Sequence, residues 1–259
     1  MHASLLSDVR RHAAAAGLNL FGLVDAERFD AASTPERRIR TLAPGCGSVV
    51  VVGSGGRELW QRFAELGCAC SGASAEAVDG FALAAVRAIE AQLAAAAVGC
   101  RTVGAGCHAR LPFARLGEAA GFGTVSPVTG LLLHPEFGPW VRVRAALLVA
   151  GQPFGPIHDA SISDRFQPCC GCPRPCVAAC PVGVHDGAGR SDLARCAEHR
   201  HGGNCASHCS SRSACPVGSA HRDGDGEHAH RHTHSLRTLQ RWYGHGVWRL
   251  VPPRWRGSP

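Results

Sequence analysis

Apolar positions set out most of the elements. Over 4–17, Leu5, Leu6, Val9, Ala13 and Ala16 fall on one face of a helix that Gly17 ends. Leu18 to Val24 reads as a short strand, and the polar, Arg-rich stretch after it as a link with a short helix from Pro35. Ser48-Val49-Val50-Val51-Val52-Gly53 is the clearest strand, a β-branched run bounded by glycines. It leads through Gly53-Ser54-Gly55-Gly56 into a helix. Such a turn can aim backbone N–H groups at a phosphate, but it lacks dinucleotide or P-loop spacing, and a tight strand-to-helix turn is the simpler reading. Residues 75–98 read as a long Ala-rich helix with Phe81, Val86, Ile89, Leu93 and Ala97 inward, and Pro112 to Ala120 as another helix. From 113 to 150 the order is helix, Gly-rich loop, strand, turn, strand, with Glu136-Phe137-Gly138-Pro139 joining the two strands as a hairpin.

Toward the C-terminus, His228, His230, His232 and His234 alternate. On a strand they would line one face and offer a metal site. Leu236, Leu239, Trp242 and Tyr243 continue a helical period, which favours a helix from about Asp225 with its histidines spread over a solvated surface and its apolar side packed on the body. Residues 244–259 read as a loosely ordered tail.

Between these regions the apolar rhythm gives way to cysteine. Nine of the 14 cysteines lie between 169 and 215. Cys169, Cys172, Cys176 and Cys180 have the spacing C-x2-C-x3-C-x3-C-P. Cys196, Cys205, Cys209 and Cys215 have C-x8-C-x3-C-x5-C-P. Both runs end in Cys-Pro-Val-Gly. A short loop can wrap three corners of a cubane, while the fourth thiolate comes from elsewhere, and in two-cluster ferredoxins the Cys before Pro serves the other cluster. That logic groups Cys169, Cys172, Cys176 and Cys215 on one 4Fe–4S cluster, and Cys180, Cys196, Cys205 and Cys209 on a second. Cys170 is spare, because Cys169 gives the x2 gap to Cys172. Zinc knuckles and a disulfide scaffold are the rivals, and two Cys-Pro endings suit neither well. Cys46, Cys68, Cys70 and Cys100 read as small buried hydrophobes.

Composition changes the picture little. The 259 residues suffice for one sizeable core and a small appended domain, and 45% are hydrophobic. No apolar run suits a membrane span, and the first residues lack the pattern of a signal peptide. The expected setting is therefore a reducing cytoplasm, which suits thiolate ligands. The formal charge is +7 with no lysine. The arginines are scattered and accompany no recognised motif, so nucleic acid is not expected as a partner.

The helix at 113–120, Gly121-Phe122-Gly123, Leu131-Leu132-Leu133-His134-Pro135-Glu136-Phe137-Gly138-Pro139, Val141-Arg142-Val143-Arg144 and the two Cys runs together resemble the epoxyqueuosine reductases and reductive dehalogenases. The resemblance spans 1–222 and is firmest over 113–216. It implies a nitroreductase-like α/β domain (an α+β sandwich) over 1–155, a ferredoxin-like domain with two 4Fe–4S clusters over 160–222, and a His/Arg-rich helical tail over 223–259. It further implies cobalamin held against the cluster domain, with Phe122, Gly123, Ser126, Thr129 and His134 as cofactor-binding residues. Electrons would then pass from a ferredoxin- or flavodoxin-like donor, cluster to cluster, to cobalt.

This chain departs from both families at the proton donor. Gly104 to Leu111 holds no carboxylate where the epoxyqueuosine reductases carry an acid. The acid of the dehalogenases is a tyrosine, and the only tyrosine here is Tyr243. Residues 125–129 lack a Gly-Lys-Asn-like segment, and a HEAT-type extension for tRNA is missing. His108, beside Cys107, is the catalytic substitute, with a structural histidine as the plainer reading. The expected function is an iron–sulfur oxidoreductase acting on an unknown small molecule. A non-catalytic electron carrier or corrinoid-handling protein is the alternative, and a zinc-bound interaction module a third reading.

Overall fold

The computed structural model describes residues 2–66, 77–104, 111–205 and 207–256. In chain order it contains α1 (His2–Ala15), β1 (Leu20–Asp25), α2 (Ala26–Ala31), α3 (Ile39–Leu42), β2 (Cys46–Gly55), α4 (Glu58–Glu65), α5 (Ala77–Ala95) and β3 (Cys100–Gly104). After these come α6 (Phe113–Ala119), β4 (Thr124–Val125), β5 (Leu132–Leu133), β6 (Val141–Ala150), α7 (Pro175–Ala178), α8 (Leu193–His201), α9 (Ser210–Ser213), α10 (Asp225–Tyr243) and α11 (Pro253–Arg256).

A four-stranded antiparallel sheet, ordered β1-β2-β6-β3, carries the body. Its central strand shows why the valine run needs no polar alternation. Val50 and Val52 point into one apolar core with α1, α4 and α5, while Val49 and Val51 point into another with α2, α3 and α6. Successive side chains of a strand face opposite ways, so covering both faces with helices demands apolar residues at every position. β6 repeats the logic, with Ala145, Leu147 and Val149 on one side and Val143, Ala146 and Leu148 on the other. No helix is long and apolar enough to cross a membrane among the described residues.

Several expectations need correction. The expected hairpin does not form. β5 pairs with β4, and β6 lies between β2 and β3, so both edges of β6 are filled before β5 could reach them. What remains of the hairpin is one bridge between His134 and Gly138. Ala97 is exposed and left-handed (φ 59°), past the end of α5, and Val98 takes the buried place. The stretch expected to be a loose tail forms a short 3-10 helix, Gly246–Leu250, and α11. Arg241 stacks over Trp248 at 5.3 Å, and Arg256 Nε donates to the Val251 carbonyl at 2.6 Å.

α10 is a helix, but its histidine-bearing part is not a solvated surface. Glu227 is fully buried, Arg231 nearly so, and Arg231 reaches Asp223 at 2.7 Å and Glu227 at 2.6 Å. Burial raises the Glu227 pKa, and the Arg231 charge opposes that rise. His228 lies edge-on to Trp140, His230 against Trp60 and Phe63, and His234 Nε2 is 3.3 Å from Asp79. α10 therefore docks on both the sheet body and α8.

Candidate metal centre

The first Cys run is a series of tight turns. Cys170 N donates to Gln167 O, Gly171 is left-handed at φ 71°, and Arg174 (φ 57°) precedes the single-turn α7 that bears Cys176. Cys215 follows α9, which packs against α7. Cys169, Cys172, Cys176 and Cys215 line one cavity, and Ser126, Thr129, Leu131 and Leu133 of the body form its wall. The charges that Cys215 meets are those of Cys176, Cys169 and Cys172.

A second group forms beside it. Cys196 stands on α8, Cys205 is left-handed (φ 48°), and Cys209 caps α9, its sulfur accepting from Arg212 N at 3.5 Å. Cys196 feels Cys209, Cys180 and Cys205, and Cys205 feels Cys209 and Cys180. So Cys180, which ends the first run, sits with the second, and Cys215, which ends the second, sits with the first. The exposed Cys170 lines neither. Burial is the largest cause raising the thiol pKa of Cys176, Cys196, Cys205 and Cys215, and neighbouring thiols add to it. Among the described residues no three Cys, His, Asp or Glu side chains gather tightly enough to hold a single metal ion. These are two looser sets of four soft donors, each set half-sheltered from water, which is the donor chemistry of an iron–sulfur cubane.

Two glycines bring the second run to the body. Gly138 (φ 54°) and Gly218 (φ 65°) meet backbone to backbone, and a Cβ on Gly138 would lie 2.0 Å from Val217 O. Only glycine permits that approach. It anchors the chain three residues after Cys215.

The five residues assigned to a corrinoid are placed as follows. Phe122 is buried in the sheet core. Gly123 (φ 154°) presses on β5, where a Cβ would fall 1.9 Å from Leu133 O. Ser126 Oγ accepts from Val128 N and Thr129 N, both at 3.1 Å, and lies 3.3 Å from Cys169 Sγ. With its lone pairs so engaged, its hydroxyl proton points to the sulfur. Thr129 Oγ1 accepts from Leu131 N at 3.4 Å. His134 Nδ1 accepts from Glu136 N and Phe137 N, and its ring stacks on Phe137 at 4.6 Å. Ser126 and Thr129 face the thiol cavity. Ser126 Oγ, Thr129 Oγ1 and His134 Nδ1 each accept from nearby backbone N–H groups, while Phe122 and Gly123 offer packing and a close backbone approach. His108, Cys107, Cys68 and Cys70 lie outside the described residues.

The sequence reading missed three side chains at the centre. Arg212 lines the first cavity, stacks over Trp140 at 4.4 Å and donates to Pro139 O. Arg200 is buried beside the second set. His185 bridges Ser191 Oγ at 2.8 Å and Ser211 Oγ at 2.9 Å, which ties the segment between the two runs to the second run. Only Arg200 carried a readable signal, four residues after Cys196 on a predictable helix face.

No family model and no curated protein matches the sequence. Solved structures do match. A selenomethionine-labelled epoxyqueuosine reductase aligns over 98% of this chain and 78% of its own, with a TM-score of 0.62 at 14% identity. An epoxyqueuosine reductase solved with a modified tRNA stem loop aligns over the same shares with a TM-score of 0.55 at 14% identity. A reductive dehalogenase, whose structure suggested a mechanism for B12-dependent dehalogenation, aligns over 92% of this chain but 36% of its own, with a TM-score of 0.51 at 17% identity. This chain is a divergent α/β protein with the fold of the epoxyqueuosine reductases, a fold that the reductive dehalogenases share in part.

Proposed function

We propose that the chain is an iron–sulfur redox protein. In this reading Cys169, Cys172, Cys176 and Cys215 hold one 4Fe–4S cluster, and Cys180, Cys196, Cys205 and Cys209 hold the other. The observation that carries it is that Cys215, which ends the second run, lines one cavity with Cys169, Cys172 and Cys176 of the first. When bound, the clusters supply transfer of single electrons. The residues of the chain do the rest. Ser126 donates to the Cys169 sulfur, Leu131 and Leu133 shield the first set from water, and Arg200 and Arg212 place positive charge near thiolates.

An electron carrier is one form of this reading, and Ser126 and Thr129, which line the thiol cavity, support it. A cobalamin-dependent reduction of a small molecule is the second reading, and the dehalogenase likeness supports it. The partner is a one-electron donor protein of the ferredoxin or flavodoxin type. The tRNA stem loop bound by a structural neighbour makes RNA a partner class to assay as well.

The test is anaerobic purification with metal analysis and absorption spectra. Two cubanes require roughly eight irons per chain and a brown protein. Cys176→Ser and Cys196→Ser should each remove about half of that iron. A colourless protein holding zinc would sink the reading. A spectral shift of added cobalamin would favour the second form over the carrier.

A further inference from the structure

Arg200 follows Cys196 by four residues on α8, so the two side chains share one face of the helix. It is 4% exposed. Its Nη1 donates to Ser235 Oγ at 3.0 Å and its Nη2 to His232 O at 2.5 Å, both on α10. Its Nε is buried without a hydrogen-bond partner. A guanidinium keeps its charge at any pH the protein meets. The charges facing this one are the thiols of Cys196, Cys209 and Cys205.

The first set has no equivalent. Arg212 lines its cavity, but Arg212 Nε and Nη2 both donate to Pro139 O, and the negative charges that face it are Asp223, Cys209 of the second set and Glu227. Ser126 offers Cys169 a neutral donor only. One set therefore has a buried cation whose counter-charges are its own thiolates, while the cation at the other is answered by two carboxylates and by a thiol of the second set.

We infer that Arg200 is a positioning residue for charge, held by α10, which makes the cluster on Cys180, Cys196, Cys205 and Cys209 the easier of the two to reduce. The inference rests on the iron–sulfur reading above. Taking up one electron adds one negative charge to a cluster and its thiolates, and a desolvated cation beside them favours that state. Electrons entering the protein would settle first on the second set. α10, which the sequence presents as a polar tail, then has a redox task through Ser235 and the His232 carbonyl.

The experiment is a dithionite titration of the full chain loaded with iron and sulfide, followed by electron paramagnetic resonance, with each signal assigned in the Cys176→Ser and Cys196→Ser chains. Arg200→Gln should disfavour reduction of the second cluster about tenfold, a fall of about 59 mV for a one-electron couple. Arg200→Lys should keep most of the wild-type value, and the first cluster should not move in either. Unmoved midpoints, or two midpoints falling together, overturn the inference. So does an Arg200→Gln chain that loses half its iron while Arg200→Lys loads fully with a lowered second midpoint, since the side chain is then a structural clasp. A wild-type chain that takes up no iron fails earlier, at the iron–sulfur reading itself, before any variant is titrated.

Discussion

The sheet body and the Cys-rich stretch differ in what fills their interiors. The body has two apolar cores, one on each face of the sheet, with Val49 through Val52 and Leu147 fully buried. Between 160 and 222 the buried apolar side chains among the described residues are Val184 and Ala197, and beside them lie Arg200 and Ser211. Apolar burial is the main favourable term of folding. The body holds most of that burial, and the Cys-rich stretch holds little of it. Its turns close around thiols, so under the iron–sulfur reading proposed above its stability would come from the bound clusters.

The largest expected effect tests that contrast directly. Removing iron from the loaded chain with a chelator should abolish amide-exchange protection in α8 and α9 and leave the protection of Val49 to Val52 in place. Equal protection before and after would break the comparison. Leu147→Ala attacks the other side. A leucine in a closed core costs about 2–5 kcal/mol when cut to alanine, read as a lower denaturation midpoint of the body. The bound iron should stay near its wild-type level, and a parallel loss of iron would show that the two regions fold as one.

How far the sequence discloses the molecule follows the same division. Val49 to Val52 were readable as a strand because the run is uniformly apolar, and the Cys spacing is a strong local constraint on how the proposed sets would group. The hairpin at 136–139 was misread because strand pairing is non-local. Nothing near β6 announces that β2 and β3 occupy both its edges. Glu227 and Arg231 look like an ordinary surface i, i+4 pair, yet they are buried with Asp223 under α10. Ser126 was singled out for a corrinoid, and its contact with Cys169 was not foreseen. For the hairpin and for Ser126 the deciding partner lay far along the chain, while for Glu227 and Arg231 it was burial, not the pairing, that the local sequence did not announce.

Two smaller substitutions sharpen the contact between the regions. Gly123→Ala places a Cβ against Leu133 O in a backbone conformation that L-residues rarely adopt. It should cost about 2–3 kcal/mol and be felt in β4 and β5, the strands behind the first cavity. Ser126→Ala strands the N–H groups of Val128 and Thr129 and should cost about 1–2 kcal/mol. It also removes the donor to Cys169, so the first cluster should become harder to reduce while the second stays put. A shift of the second cluster alone would mean that the thiol sets are wrongly partitioned.

The smallest effect concerns His134, which belongs to the body although the Cys-rich stretch packs near it through His221 and Phe137. Burial lowers its pKa, Glu136 opposes that shift, and His221 adds to it. The neutral ring is the one the fold uses, because Nδ1 must accept from Glu136 N and Phe137 N. With the folded value below the unfolded one of about 6.5, the unfolded chain binds more protons in the interval between them. Stability from this group is therefore complete above pH 6.5 and is lost as pH falls through the folded-state value. Acidifying from pH 7 to 5 should lower the melting temperature of the body. His134→Asn, whose side-chain oxygen can accept at the same place without titrating, should flatten part of that slope. Other histidines also titrate in this range, so the difference between the two slopes is the quantity to measure, and equal slopes would remove His134 from the account of acid sensitivity.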